Sequence, residues 1–336
     1  METIYLSTVT PVYHGADTLA GLVQALDAVR RELIAQSWPL RLTEAILVDD
    51  GSVDGSEQVL AALERQYDWV RVIRLSRNFG QHPATIAGIL HAGGDWIATL
   101  DEDLQHPPSL MIPLLRRAIM DRADVVYAQP SEAVHDSRFR DYSSRWYKAT
   151  VGWVSGNPHI HLFNSFRMAR GSIARAAAAV SGHQTYFDLA LCWFTSRIVS
   201  VKLPLKDHRH IKTGASGYSW HKLLSHARRM LQSSELKVLR LGALIGFAAM
   251  VLAAVYAIYA VMVKIMFPDM VPVQGWTSIM VAVLFLGGLS TFLIGLVLEH
   301  LSLILMQTHG KPTFFEVDRR SDEVLRAWWQ EEAEKP

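Results

Sequence analysis

Ala45-Ile46-Leu47-Val48-Asp49-Asp50-Gly51-Ser52 sets four apolar side chains in a row against an abruptly polar turn. An unbroken apolar run of this length describes a strand buried on both faces, the environment of a parallel sheet. The change to Asp-Asp-Gly-Ser marks the carboxyl end of that strand, where a turn hands the chain to a helix. Helical character follows over Ser56 to Gln66, and Val70 to Leu75 is a further strand. On the upstream side, Ile4 to Val9 is a β-branched run that stops at Thr10-Pro11. Asp17 to Ile34 then sets Leu19, Leu22, Val23, Leu26, Val29 and Leu33 at helical spacing. Downstream again, a helix from about Pro83 to Ala92 leads through Gly93-Gly94 to a strand over Trp96 to Leu100, which ends in Asp101-Glu102-Asp103. The alternation predicts an α/β fold with a mostly parallel sheet, and polar residues at strand carboxyl ends predict a ligand site along that edge.

At 336 residues the chain is long enough for one large domain and an appendage. Its 33 Lys and Arg balance 32 Asp and Glu, a net charge of +1 that gives no global pull towards nucleic acid or another polyanion. The single cysteine, Cys192, excludes an intrachain disulfide and a multi-cysteine metal site, and reads as a small buried apolar residue. The opening Met1 to Leu6 has neither the basic start nor the apolar core of a signal peptide, so the first domain is expected to stay in the cytoplasm.

Apolar character is concentrated between Leu241 and Met306. Two spans are predicted there, about Leu241 to Met266 and Trp276 to Leu298, each long enough to cross a hydrocarbon core of about 30 Å. The stretch between them, Phe267 to Gly275, contains Asp269 and no Lys or Arg. Arg228, Arg229, Lys237 and Arg240 precede the first span, and Lys311, Arg319 and Arg320 follow the second. That asymmetry places both flanks, and both termini, in the cytoplasm. The expected division is a catalytic domain over 1–218, an amphipathic juxtamembrane segment over 219–240, a membrane hairpin over 241–306 and a tail over 307–336. Glu299 and His300, ionisable residues at the inner boundary, are functional candidates. Gly287-Gly288 and Gly295 would let helices approach closely, which favours a homo-oligomer.

Asp101-Glu102-Asp103 with Gln105 is a donor set suited to Mg²⁺ or Mn²⁺ held mainly through a diphosphate, since such hard ions take a few protein oxygens and leave other positions to phosphate and water. Asp50 to Gly55 has a second reading, as a turn followed by a helix N-cap.

Several stretches together resemble family 2 glycosyltransferases: Thr10-Pro11-Val12-Tyr13, Val48 to Ser56, Arg77-Asn78-Phe79-Gly80-Gln81, Ala87-Gly88, Gly94-Asp95 and Asp101 to Pro108. They are most similar to the branch that contains dolichyl-phosphate mannose synthases and bacterial undecaprenyl-phosphate hexosyltransferases. His208 to Tyr218 resembles the basic segment before the membrane in that branch, and Glu299 with Gly310-Lys311-Pro312 its closing pattern. The resemblance implies a GT-A fold with Asp101, Asp103 and Gln105 around a Mg²⁺ or Mn²⁺ ion. It places Pro11, Tyr13, Asp49 or Asp50, and Asp101 near the nucleotide and Arg140 and Ser144 at the acceptor phosphate; Arg209 and Lys212 of the basic segment can hold that phosphate as well, or only touch lipid headgroups. The implied activity is inverting transfer of a hexose from a UDP- or GDP-linked donor to a polyprenyl phosphate, in an integral protein of a bacterial inner membrane. Where relatives commonly have Gly-Asp-Phe-Arg-Leu, this chain has Asn164-Ser165-Phe166-Arg167-Met168, and the acidic residue is missing.

That loss is chemically tolerable, because a lipid phosphate monoester has a second pKa near about 6 and needs no strong base at neutral pH. Two other readings are a transferase acting on a lipid-diphosphate-linked glycan or glycolipid, and a catalytically silent membrane scaffold that binds nucleotide sugar.

Overall fold

The computed structural model describes residues 3–36, 38–131, 158–182, 185–204, 237–267, 275–308, 310 and 320–333. These fall into two compact units, one holding a sheet with its helices and the last helix of the chain, the other holding two long apolar helices.

The first unit opens with β1 (Ile4–Val12), α1 (Leu19–Ala35), β2 (Leu40–Asp49), α2 (Ser56–Gln66), β3 (Val70–Arg74), α3 (Gln81–His91) and β4 (Trp96–Thr99). A single turn over Pro108–Leu110 leads into α4 (Met111–Met120), followed by β5 (Val125–Pro130), β6 (Arg167–Arg170), α5 (Gly171–Val180), α6 (Phe187–Phe194) and β7 (Ile198–Leu203). The strands lie in the order β3-β2-β1-β4-β6-β5-β7. Pairing is parallel from β3 through β4 and between β5 and β7, whereas β6 runs antiparallel to both neighbours. The expected α/β architecture is realised. β1 continues past Pro11 because the Asp50 amide donates to the Val12 carbonyl at 2.8 Å and extends the pairing with β2.

Apolar side chains leave the sheet on both faces, and each face has its own cluster. Leu22 and Leu26 of α1, Leu60 of α2 and Leu114 and Leu115 of α4 cover one. Ala84 and Ile89 of α3, Ile173 and Ala177 of α5 and Phe187 and Leu191 of α6 cover the other. Burying strands on both sides explains the unbroken apolar run at residues 45–48. On the second face Arg167 and Asp188 form a buried ion pair, and the Tyr127 hydroxyl donates to the same carboxylate at 2.6 Å. Burial and that neighbouring carboxylate push the Tyr127 phenol well above its ordinary pKa, so it stays a donor. Cys192 is half-buried, its thiol 3.2 Å from the Asp188 carbonyl.

Residues after 307, read from sequence as a tail, contribute a helix to this unit: α9 (Arg320–Ala333). Its Leu325 and Trp329 join the first cluster, and Trp38 packs against the rings of Trp328 and Trp329. Arg170 of β6 is buried between Asp124 and Asp322 of α9, with Nη2 2.5 Å from Asp322 Oδ2, and its guanidinium lies over the Trp96 ring. Arg326 donates to the Ile119 and Met120 carbonyls at the end of α4.

The second unit is α7 (Lys237–Met266) and α8 (Trp276–Thr308). Phe247–Met266 and Ser278–Leu298 have mean hydropathies of 2.1 and 2.5 over 20 and 21 residues, long and apolar enough to cross a membrane. A buried hairpin in a water-soluble core would hide such side chains, but Ile265 is 73% exposed and Ile279 67%. The helices meet at Gly288, where a Cβ would lie 2.9 Å from the Met250 Cα, so this glycine serves contact inside the hairpin.

Candidate functional site

In the order β3-β2-β1-β4 the chain winds outward from β1 in one direction through β2 and β3, then returns to place β4 on its other side. The carboxyl ends of β1 and β4 therefore diverge into a crevice at the switch point. An open cleft of about 210 Å³ lies there. Pro11 and Val12 line it from β1 and Tyr13 from just beyond, Asp50 from the end of β2, Asn78 and Gly80 from the loop after β3, Gln81 from the start of α3, and Asp101, Glu102 and Asp103 from the turn after β4.

The two acidic segments use their carboxylates differently. Asp49 turns back on its own loop, accepting from the Ser52 amide at 2.9 Å and from the Ser52 hydroxyl. Asp50 reaches across to the next crossover, accepting from the Phe79 amide at 2.7 Å and the Gly80 amide at 2.8 Å. Gly51, which follows Asp50, has φ +69°, and a Cβ there would lie 2.8 Å from backbone atoms of Arg77 and Asn78, so only glycine lets the two loops meet. Asp54 accepts from the Ser56 amide and hydroxyl and from the Ala16 amide at 3.2 Å. Slight burial opposes ionisation of Asp54, but these hydrogen bonds prevail and hold its carboxyl below the usual range. Asp54 thus ties the start of α2 to the β1 loop, and Asp50 holds the Phe79–Gly80 loop beside the cleft.

After β4, burial pushes the Glu102 carboxyl up, partly offset by the amides of Tyr13 at 2.9 Å and His14 at 3.2 Å, which donate to it. Glu102 thereby holds the β1 loop in place. Asp101 accepts from Gln81 Nε2 at 2.7 Å and from Ser165 Oγ at 2.8 Å. Asp103 Oδ1 accepts from the Gln105 amide at 3.2 Å. Between them Leu104 has φ +57°, an uncommon conformation for a side chain of this size. It persists because the Leu104 side chain packs on the core, and it turns the chain sharply between Asp103 and Gln105. His106 stacks on Phe166 with ring centroids 5.0 Å apart, its Nδ1 3.6 Å from Asp101 Oδ2.

Among the described residues no three His, Cys, Asp or Glu side chains are grouped to hold a metal by themselves. Two carboxylates facing one cleft, Asp101 and Asp103, suit an ion that takes most of its oxygens from a diphosphate, so the donor set fits Mg²⁺ or Mn²⁺ in that mode.

The structure brings Pro11, Tyr13, Asp50, Asp101 and Asp103 together on the cleft. It turns the Asp49 carboxylate into its own loop, and Gln105 is not among the residues that line the opening. Arg140, Ser144, Arg209 and Lys212 lie outside the described residues, as do most of the juxtamembrane segment and the Glu299 side chain. The sequence reading assigned no role to Gln81, although it belongs to the quoted Arg77 to Gln81 stretch, and it treated Ser165 only as the place of a missing acid. Nothing local signals that these two meet at Asp101.

Comparison with known proteins agrees with this geometry. Residues 7–179, from β1 nearly to the end of α5, match glycosyl transferase family 2. The undecaprenyl-phosphate 4-deoxy-4-formamido-L-arabinose transferase of Pseudomonas fluorescens is 30% identical over 313 residues, 93% of this chain and 89% of that protein. The protein of that name from Pseudomonas savastanoi pv. phaseolicola is 30% identical over 325 residues, 96% of this chain and 93% of its own. Among solved structures, glucosyl-3-phosphoglycerate synthase from Mycobacterium tuberculosis in complex with UDP is 17% identical with a TM-score of 0.44, covering 68% of this chain and 78% of that one. The family match takes in every strand end that lines the cleft, the relatives extend through both apolar helices, and the chain belongs to glycosyl transferase family 2, with a GT-A-type α/β unit.

Proposed function

We propose that this enzyme transfers a sugar from a UDP- or GDP-linked donor to a polyprenyl phosphate at the cytoplasmic face of a bacterial inner membrane. The observation that carries the reading is the cleft at the β1/β4 switch point, with Asp50, Asp101 and Asp103 on it, in a chain that also has two exposed apolar helices. Relatives named as undecaprenyl-phosphate transferases, aligned over nearly the whole chain, support the acceptor class.

An acceptor phosphate oxygen, already an anion at neutral pH, attacks the anomeric carbon; the bond from that carbon to the nucleoside diphosphate breaks, and the configuration inverts. No side chain need remove a proton, which agrees with a serine at position 165. Asp50 keeps the loop over Phe79 and Gly80 in place beside the nucleotide, and Asp101 and Asp103 face its diphosphate. A Mg²⁺ or Mn²⁺ ion bound there would neutralise charge on the leaving group. Arg140, Ser144, Arg209 and Lys212 are assigned to the acceptor phosphate on the strength of the sequence resemblance.

The membrane face has its own support. The excess of Lys and Arg beside both helices, against none between them, supports the cytoplasm for both flanks of the hairpin.

Mass spectrometry of the product from purified enzyme, undecaprenyl phosphate, Mg²⁺ or Mn²⁺ and a panel of nucleotide sugars tests this. The resemblance implies a hexose, whereas the relatives are named for an arabinose derivative, so both classes belong in the panel. A singly phosphate-linked glycolipid is the expected product. No transfer from any donor overturns the reading, as does a product built on a diphosphate-linked lipid.

A further inference from the structure

We infer that Ser165 and Gln81 are positioning residues that together set the orientation of the Asp101 carboxylate towards the metal-diphosphate end of the cleft. The inference rests on the metal reading above and deepens it. Each oxygen of Asp101 has one neutral donor: Gln81 Nε2 lies 2.7 Å from Oδ1 and Ser165 Oγ 2.8 Å from Oδ2. The donors come from two separate elements. Gln81 opens α3, and Ser165 reaches the end of β4 only because β6 runs antiparallel to it, with Thr99 opposite Arg167. Two hydrogen bonds from two elements fix the carboxylate plane, which one could not.

Ser165 is itself held. Its carbonyl accepts from the buried Thr99 hydroxyl at 2.5 Å, Asn164 Nδ2 donates to the Ala128 carbonyl at 2.9 Å, and the adjoining Phe166 is fully buried. The next acceptor within reach of its hydroxyl, Asn164 Oδ1, is 3.4 Å away, so the shorter contact with Asp101 prevails. A carboxylate oxygen has two acceptor directions; Gln81 leaves one of Oδ1 open to a cation or its waters, while His106 Nδ1 also stands 3.6 Å from Oδ2. Neutral donors also hold Asp101 without cancelling its charge, as Arg or Lys would. An aspartate at 165 would set a second negative charge against Asp101, which a neutral hydroxyl does not. The serine therefore leaves Asp101 and Asp103 as the anionic donors of the site while keeping Asp101 in place.

Binding, not turnover, tests this. Mn²⁺ titrated into the full-length protein in detergent, with UDP or GDP according to which the wild type binds, is followed by the electron paramagnetic resonance of free Mn²⁺. Ser165→Ala and Gln81→Ala should each weaken Mn²⁺ binding about tenfold, with melting temperatures unchanged, because each removes a hydrogen bond to a charged group. Ser165→Thr keeps the hydroxyl and should restore binding to near the wild-type level. Wild-type affinity in Ser165→Ala, beside a clear loss in Asp101→Ala, overturns the positioning role. Wild-type affinity in Asp101→Ala overturns the inference together with the metal reading, whatever the sugar transfer assay gives.

Discussion

Two acidic segments close neighbouring parts of the same sheet edge, and they do opposite things with their charge. After β2, Asp49, Asp50 and Asp54 give their oxygens to amides and hydroxyls of the loops around them, and Asp49 and Asp50 are buried. After β4, Glu102 is used that way, while Asp101, held by Gln81 and Ser165, and Asp103, which accepts from the Gln105 amide, line the cleft. A carboxylate saturated with backbone donors builds a loop; one held lightly by neutral side chains remains available to a ligand. The contrast shows in protonation too, since hydrogen bonds pull Asp54 down whereas burial pushes Glu102 up.

The largest effect should come from the ligand-facing member. Asp103→Ala should reduce transfer on the order of a thousandfold while leaving the melting temperature within a few degrees, and removing divalent ions with a chelator should do the same to the wild type. Near-normal transfer in the variant at ordinary Mg²⁺ or Mn²⁺ would break the contrast. Next in size, Asp50→Ala leaves the Phe79 and Gly80 amides without their acceptor and should cost about 2–4 kcal/mol, read by thermal or denaturant unfolding in detergent. An unfolding curve that superimposes on the wild type would show that Asp50 is not the loop builder its contacts describe.

The smallest effect concerns Asp54. Its folded carboxyl titrates below the ordinary 3.8, so the stability it contributes is present above that value and lost as pH falls through the folded one. The melting advantage of wild type over Asp54→Asn should be level between pH 7 and about 5 and shrink towards pH 3. An advantage that grows in acid would reverse the assignment.

Legibility along the chain followed the range of the interactions. The β1 to β4 alternation and the two apolar helices were readable, because periodicity and run length are local properties of twenty residues or fewer. α9 was read only as a tail. Its apolar residues, Val324, Leu325, Trp328 and Trp329, fall at helical spacing on one face, but what that face meets, Arg170, Trp38 and the α4 carbonyls, comes from distant parts of the chain. The more apolar α7 and α8 expose their side chains, so hydropathy alone would have ranked the three helices backwards for burial within the protein. Leu104 is a similar case, since no local preference puts a leucine at positive φ; the core pocket that takes its side chain does.

By itself the sequence determined that strands and helices alternate, that strands end in acidic turns, and that two stretches are long and apolar enough to span a bilayer, for these are consequences of backbone geometry and of residue type in short windows. Tertiary structure alone decided which aspartate faces the cleft and which is consumed by its own loop, and that Ser165 meets Asp101. A carboxylate's role depends on the donors around it. Here those donors come from other crossovers, the amides of Phe79 and Gly80 and the hydroxyl of Ser165, and only the packed sheet, with β6 antiparallel to β4, brings them within hydrogen-bonding distance.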